Sequence, residues 1–312
     1  DGMPDTYEAS NGLNKLDSQD MLSDADNDGL TALQEYQLKT SPNANDTDMD
    51  SLPDGWEVVN NRDPLTPDYQ ISLSSFSGCI LDDAGVSCWG GDYGEVPALS
   101  NPKMLSGRGG VFCAIDDFGV SCWGATVPEV PLLINPFKVS VGGQRVCALD
   151  DTGVVCWGDN RFDLSNVPVL SNPIDISMSG NRACAIDDTG LVCWGYNGMG
   201  ILDTAGWPIF ANPLEVALSS DSICVRDDTN DVICWGYAYG DHIQYPDVVD
   251  PLLLSGGYQH MCGLGSEGVR CWGRNDYGVL DVPPLSNPTA LSSGYDSSCA
   301  IDDTGVVCWG RD

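Results

Sequence analysis

Asp24, Asp26 and Asp28 alternate along the chain and are followed by Gly29, Leu30 and, seven residues after Asp28, Glu35. In a twelve-residue loop opening at Asp24 these residues occupy positions 1, 3, 5, 6, 7 and 12. Carboxylates at alternate positions of a tightly curled loop converge on one point. The Leu30 carbonyl adds an oxygen and the last glutamate can close the shell with both of its own, which suits a hard cation wanting six to eight oxygens, Ca2+. Asp46, Asp48, Asp50, Leu52 and Glu57 repeat the pattern, with Ser51 in place of the glycine and Asp54 added at position 9. A third copy is cut in half. Asp1, Met3, Asp5 and Glu8 fit positions 5, 7, 9 and 12, so ligands for positions 1 and 3 would precede the first residue. The chain, which begins without Met, is therefore expected to be the C-terminal piece of a longer protein. An acidic, solvated linker is the simpler reading of this region, but it does not account for two matches to one six-point template.

The cysteines carry the second pattern. All fourteen fall into pairs: Cys79 with Cys88, Cys113 with Cys122, Cys147 with Cys156, Cys184 with Cys193, Cys224 with Cys234, Cys262 with Cys271 and Cys299 with Cys308, the second always followed by Trp-Gly. First cysteines recur every 34, 34, 37, 40, 38 and 37 residues, the period of one supersecondary unit in a repeat protein. Within Cys299–Cys308, apolar β-branched runs flank Asp-Asp-Thr-Gly, a turn signal, so each unit predicts a β-hairpin. Pairing Ile301 with Val306 brings Cys299 opposite Cys308. Cα separations of ~4.5–5.5 Å across an antiparallel pair lie within disulfide range. Closing each such loop stabilises by ~2.5–3 kcal/mol on the chain-entropy model. The pair of Cys224 and Cys234 holds one extra residue, which a bulge is expected to absorb. Zinc would want Cys-x-x-Cys pairs, and none occur. Disulfides imply an oxidising compartment, hence a secreted or cell-surface protein.

Composition narrows the partners. A formal charge of −33 argues against nucleic acid and anionic membrane surfaces, and no apolar run is long enough for a transmembrane segment. Residues 1–67 hold fifteen acids against three bases and no cysteine, whereas the repeats run from about residue 68 to the end. Two domains are expected, an acidic calcium-binding arm over 1–62 with short helical segments and an all-β repeat domain over 63–312.

The arm, with its Asp-x-Asp-x-Asp-Gly-Leu-Thr, Gln-Glu-Tyr and Asp-Gly-Trp-Glu phrases, resembles the thrombospondin type 3-like calcium repeats of bacterial secreted and surface proteins. The remainder, with Cys-Ala-Ile-Asp-Asp-Thr-Gly-Val-Val-Cys-Trp-Gly, resembles the regulator-of-chromosome-condensation repeats. That resemblance implies a seven-bladed β-propeller, with one disulfide-stapled hairpin per blade. Six units are followed by a Val-Pro segment that the seventh lacks; Asp63–Pro67 is expected to replace it, so that both chain ends complete one blade.

Seven Trp-Gly tryptophans read as packing between blades. The Asp-Asp tips and Ser-Asn-Pro turns are expected on one face. Loops before each first cysteine and after each Trp-Gly fall on the other and concentrate Tyr and Arg, the composition of binding surfaces. Arg145, Arg182, Tyr196 and Tyr239 are the expected contacts there. Only His242 and His260 are present, and no nucleophile motif occurs, so catalysis is not expected. The functional expectation is a calcium-binding adhesion or structural module for a protein or glycan partner. Homo-assembly through the arm, a polysaccharide-active enzyme and an inhibitor of a secreted enzyme are the alternatives.

Overall fold

The computed structural model describes residues 2–47, 53–59, 64–65, 69–82, 85–91, 93–198, 200–204, 207–208, 210, 212–229, 231–236 and 248–311, the side chains of Asp5, Trp56 and Glu57 excepted. The chain divides into two units, Asp1–Asp68 and Tyr69–Asp312. In the first, helices α1 (Asp5–Ser10), α2 (Ala32–Leu38) and α3 (Asp54–Val59) alternate with acidic loops. Thr31 caps α2 in a capping box: its hydroxyl accepts the Gln34 N–H while the Gln34 side chain accepts the Thr31 N–H at 2.9 Å. Tyr7 of α1 meets Tyr36 of α2 with ring centroids 4.8 Å apart.

The second unit is a ring of seven three-stranded antiparallel sheets. Blade 1 consists of β1 (Gln70–Leu73), β2 (Ser77–Asp82) and β3 (Gly85–Gly90), and blade 2 of β4 (Met104–Arg108), β5 (Val111–Asp116) and β6 (Gly119–Gly124). Blade 3 follows as β7 (Lys138–Val141), β8 (Arg145–Asp150) and β9 (Gly153–Gly158), and blade 4 as β10 (Asp175–Ser179), β11 (Arg182–Asp187) and β12 (Gly190–Gly195). Blade 5 holds β13 (Pro213–Leu218), β14 (Ser222–Asp227) and β15 (Val232–Gly236), and blade 6 holds β16 (Pro251–Gly256), β17 (His260–Gly265) and β18 (Gly268–Gly273). Blade 7 is β19 (Ala290–Ser293), β20 (Ser297–Asp302) and β21 (Gly305–Gly310).

Hairpin register follows the cysteines, each first cysteine being the direct partner of its second. Disulfides join Cys79 to Cys88, Cys113 to Cys122, Cys147 to Cys156 and Cys184 to Cys193 in blades 1 to 4. In blades 5 to 7 they join Cys224 to Cys234, Cys262 to Cys271 and Cys299 to Cys308. The two halves of each staple are not equivalent. First cysteines sit on the middle strand of their blade, covered by a strand on either side, and all seven are buried. Second cysteines sit on the third strand, the outer edge, where only one side is paired. Cys88, Cys122, Cys156, Cys193 and Cys271 are accordingly only partly buried and Cys308 is exposed, while Cys234 alone of this set is buried.

The extra residue of the Cys224–Cys234 hairpin is not taken up by a bulge. Register runs unbroken from Cys224↔Cys234 to Arg226↔Val232, so the insertion widens the turn, where Asp227 N–H reaches the Asp231 carbonyl. Keeping the ladder intact preserves its hydrogen bonds and the cysteine register.

Neighbouring blades join in two ways. Trp123 shares a core cluster with Cys79 and Leu81 of blade 1, Trp157 with Val111 and Ile115 of blade 2, and Trp194 with Leu149 of blade 3. Burying such a ring contributes on the order of 5 kcal/mol of transfer free energy. The innermost strands add a ladder of side chain-to-backbone bonds. Serines at one recurring position accept an N–H from the next blade: Ser106 from Val141, Ser140 from Met178 and Ser255 from Ser293. Gln70, Asp175 and Glu215, two residues earlier in the pattern, accept from Leu105, Val216 and Leu254. Inner-edge N–H groups that lack a fourth-strand partner are thereby satisfied.

The ring closes where β1 meets β19, through Ile71 and Leu73 packed with Ala290, Cys299 and Ile301. Each described blade draws its three strands from one continuous stretch, and the described residues of the Val-Pro segments carry no strand. Pro64 and Leu65 form a turn, while Asp63, Thr66 and Pro67 of the expected closing segment lie outside the described residues.

Candidate metal centre and propeller mouth

Within the first unit, Asp24, Asp26 and Asp28 place carboxylate oxygens within 4.8 Å of one another. Positive φ at Asn27 and Gly29 curls the loop, and the Leu30 N–H donates to Asp28 Oδ1 at 2.6 Å. Glu35, carried inward by the capped helix α2, is fully buried with neither carboxylate oxygen hydrogen-bonded. Burial first, then the charges of Asp26, Asp28, Asp24 and Asp54, push its carboxyl up to about 8. A carboxylate can be ionised in that position only beside a cation. Asp26 has two buried, unbonded oxygens as well, and burial followed by Asp28 raises its pKa. This oxygen-only donor set fits a hard divalent cation, with Asp24, Asp26, Asp28, the Leu30 carbonyl and Glu35 as the residues that could hold it.

The other two copies are seen in part. Glu8, at position 12 of the half copy, is buried with an unbonded Oε1, like Glu35, and Met3, at position 7, is also buried. Asp1, Asp48, Asp50 and Leu52 lie outside the described residues, as do the side chains of Asp5 and Glu57. Asp46 is partly buried. Asp54, expected as a ligand, gives both oxygens to Thr47, at 2.7 Å from its N–H and 2.6 Å from its hydroxyl. Gly55 N–H donates to Asp28 Oδ2 at 3.2 Å, tying the second copy to the first loop.

In the propeller, the two faces are chemically distinct. At the tips, the first aspartate is a turn cap: Asp302 accepts from the Thr304 hydroxyl at 2.6 Å, from Thr304 N–H at 2.8 Å and from Ser286 N–H at 2.9 Å. These bonds, the Thr304 hydroxyl foremost, hold its carboxyl below the ordinary value. The second aspartate takes the asparagine of the Ser-Asn-Pro turn, Asn287 to Asp303 at 2.7 Å and Asn172 to Asp188 at 2.6 Å. A groove of about 560 Å³ lies on this side between Phe137, Thr152, Val167 and Pro173.

On the opposite face, each Trp-Gly glycine lets the chain double back beneath the loop before the first cysteine. Gly124 has φ +127°, and a Cβ there would stand 2.0 Å from the Gly110 carbonyl oxygen. Of the expected contacts, Tyr196 is 39% exposed, while Tyr239 lies outside the described residues. Arg145 and Arg182 are not surface contacts; they are 7% and 4% exposed. Each ties a first-cysteine strand to the loop after Trp-Gly. Arg145 pairs with Asp159 at 3.0 Å, and Arg182 donates to the Tyr196 carbonyl at 2.8 Å and to that of Ser220 in the next blade. His260 is also buried, 2.9 Å from Ser298 Oγ; burial and then the charge of Arg108 push it down to about 4.

The exposed surface is instead aromatic: Phe76, Phe162, Tyr196, Tyr277 and Tyr295. Arg311 lies 4.8 Å from the Tyr277 ring centroid and 5.9 Å from that of Phe76, joining blades 6, 7 and 1. On the axis, a cavity of about 210 Å³ opens between Arg108, Ser220, Tyr258, Tyr295 and a rim of glycines. Arg108 of blade 2 reaches across it to blade 6, donating from Nη1 to the Gly256 carbonyl at 3.0 Å and from Nη2 to that of Gly257 at 2.9 Å.

Comparison with known proteins agrees with this architecture. A model of the regulator of chromosome condensation (RCC1) repeat matches residues 253–279, and no curated protein matches the chain. The fold is similar to the ectodomain of the Physcomitrella patens receptor kinase CR4, with TM-score 0.65, 22% identity, and 78% of this chain and 73% of that one covered. The ectodomain of the Arabidopsis thaliana receptor kinase ACR4 gives 0.64 at 21%, covering 77% and 96%. Saccharomyces cerevisiae Prp20p gives 0.61 at 14%, covering 78% and 82%. At these identities the likeness establishes the fold, an RCC1-like propeller. No helix among the described residues is long and apolar enough to cross a membrane.

Proposed function

We propose that this protein is an extracellular propeller with a calcium-binding arm, acting as a non-catalytic binding module, its partner docking on the face that bears the axial cavity. The observation that carries the calcium half is Glu35, a buried glutamate with both oxygens unbonded beside three converging aspartates. Glu8, buried with its Oε1 unbonded, holds the equivalent position of another copy, in keeping with thrombospondin type 3-like repeats. Calcium would come from the secreted milieu, where seven disulfides and no free cysteine also belong. The docking face is chosen by its chemistry. Tip aspartates give their oxygens to their own turns and the exposed aromatics beside them, Phe118 and Phe137, have no polar group, whereas the opposite loops leave Tyr196 and Tyr277 on the surface, rings with a polar tip. Two extracellular receptor ectodomains among the similar structures accord with such a role.

Calcium titration by calorimetry, with limited proteolysis in chelator, tests the reading. Saturable uptake and a protease-resistant arm that becomes cleavable within residues 1–60 on chelation are expected. An arm equally resistant in both conditions overturns it.

A further inference from the structure

Arg108 is the one charged side chain among the described residues that line the axial mouth. Among the described residues, no carboxylate pairs with Arg108; its two contacts are backbone carbonyls and use two of the five N–H donors of a guanidinium. Burial alone lowers its pKa, to about 10. The neighbouring carboxylates are engaged elsewhere: Asp221 accepts from Gln259 at 2.8 Å and Asp296 from Arg311 at 3.1 Å. Among the described residues Arg108 thus keeps N–H donors beyond its two carbonyl bonds at an open cavity, an arrangement suited to an anion.

The walls narrow the choice. One guanidinium balances one negative charge, and its planar fork matches a carboxylate, whereas a phosphate dianion would want a second cation. The cavity of about 210 Å³ has the volume of about seven waters, enough for one six-membered sugar ring. Tyr258 and Tyr295 stack at 4.0 Å and 13°, and Tyr295, 43% exposed, presents an aromatic wall with a polar tip. A peptide added as a strand would need a free inner edge, and Ser106, Ser140 and Ser255 already take inner-edge N–H groups there; a peptide held by its C-terminal carboxylate is separated by the test below.

We propose that the axial mouth binds the carboxylate of an acidic sugar residue at Arg108, with the sugar ring against Tyr295. This deepens the binding-module reading and rests on it.

The test uses the full chain with calcium present, titrated with glucuronic acid and a short galacturonic acid oligomer. A neutral glucose oligomer, inorganic phosphate and a peptide with a free C-terminus serve as comparisons. Acidic sugars should bind and glucose should not, with affinity falling about tenfold or more in Arg108→Gln and by about threefold or more in Tyr295→Ala, and weakening as salt rises. Absence of acidic-sugar binding at about 10 mM overturns the proposal, as does preferred binding of phosphate or peptide. If Arg108→Gln melts early, Tyr295→Ala decides, because its side chain is exposed; unchanged affinity there rejects the sugar assignment. Failure of sugar binding in a chain that still takes up calcium and binds another partner removes only this proposal. Loss of calcium uptake as well removes the broader reading.

Discussion

The Ser292 hydroxyl accepts the backbone N–H of Leu73 at 3.0 Å, joining residues 219 apart in sequence and closing the ring. Both groups are buried, so replacing Ser292 with Ala leaves the Leu73 N–H without a partner or water. The expected cost is about 1–2 kcal/mol, a fall in Tm of roughly 2–6 °C for a domain of this size. Ser292→Thr, which keeps the hydroxyl, should recover part of it. Thermal unfolding of both variants reads this out, and an unchanged Tm in Ser292→Ala contradicts this closure of the ring.

His260 makes stability depend on pH. Its folded pKa of about 4 lies below the unfolded value of about 6.5, so between these values the unfolded chain binds the extra proton. Stability from the neutral ring is complete above pH ~6.5 and is lost as pH falls toward 4, by up to about 3 kcal/mol. Arg108 opposes protonation from one side and burial does so throughout. Wild type should therefore lose more Tm than His260→Gln between pH 6.5 and 4. Parallel curves would show that the imidazole does not titrate in this interval.

Glu35 titrates in the opposite sense. Without a cation its folded pKa of about 8 exceeds the unfolded 4.5, so the metal-free arm loses stability as pH rises through that interval. Calcium needs the carboxylate ionised and should release about one proton per site near pH 7. Calorimetry in buffers of different ionisation enthalpy measures that proton. Glu35→Gln should abolish the release and weaken calcium by about tenfold or more. Proton release that persists in Glu35→Gln would assign it to another acid.

How much of this is legible in the sequence depends on the range of the interaction. Hairpin register can be read because Cys299 and Cys308 are nine residues apart and the turn chemistry is local. The unequal burial of the two cysteines cannot, since it is set by which strand ends up at the blade edge. The Asp24–Glu35 spacing is legible for the same local reason, and a Thr31-x-x-Gln34 capping box is a further local signal for helix α2. Arg145 and Arg182 were misplaced on the surface because loop composition does not reveal a partner in an adjacent loop or the next blade; Arg182 reaches Ser220, 38 residues away. Spacing puts Arg108 on a loop of the mouth face but does not give its partners. Its partners lie 148 and 149 residues on, and only ring closure brings them together. The serine ladder is foreshadowed by a serine recurring seven residues before the first cysteine, at Ser106, Ser140 and Ser255, a recurrence that marks a position without stating what it bonds.

Buried arginines and exposed aromatics on the mouth face should separate cleanly by stability. Arg182→Ala removes donors from the Tyr196 and Ser220 carbonyls and the cation 5.7 Å from the Tyr196 ring centroid. Because the guanidinium is buried, the expected loss is about 2–4 kcal/mol, and Arg145→Ala, which takes one of two arginines from Asp159, should also destabilise. Asp159 is held at about 2 by Arg161 first and by Arg145 as well, so part of its charge stays compensated in that variant. Arg145→Ala should accordingly be the milder of the two. Tyr277→Ala and Phe76→Ala, whose rings are exposed, should stay within about 0.5 kcal/mol of wild type. Denaturant unfolding of the four variants measures all of this at once. If Arg182→Ala unfolds like wild type while Tyr277→Ala collapses, the arginine belongs to the surface and the aromatic to the core, and the assignment of this face is inverted.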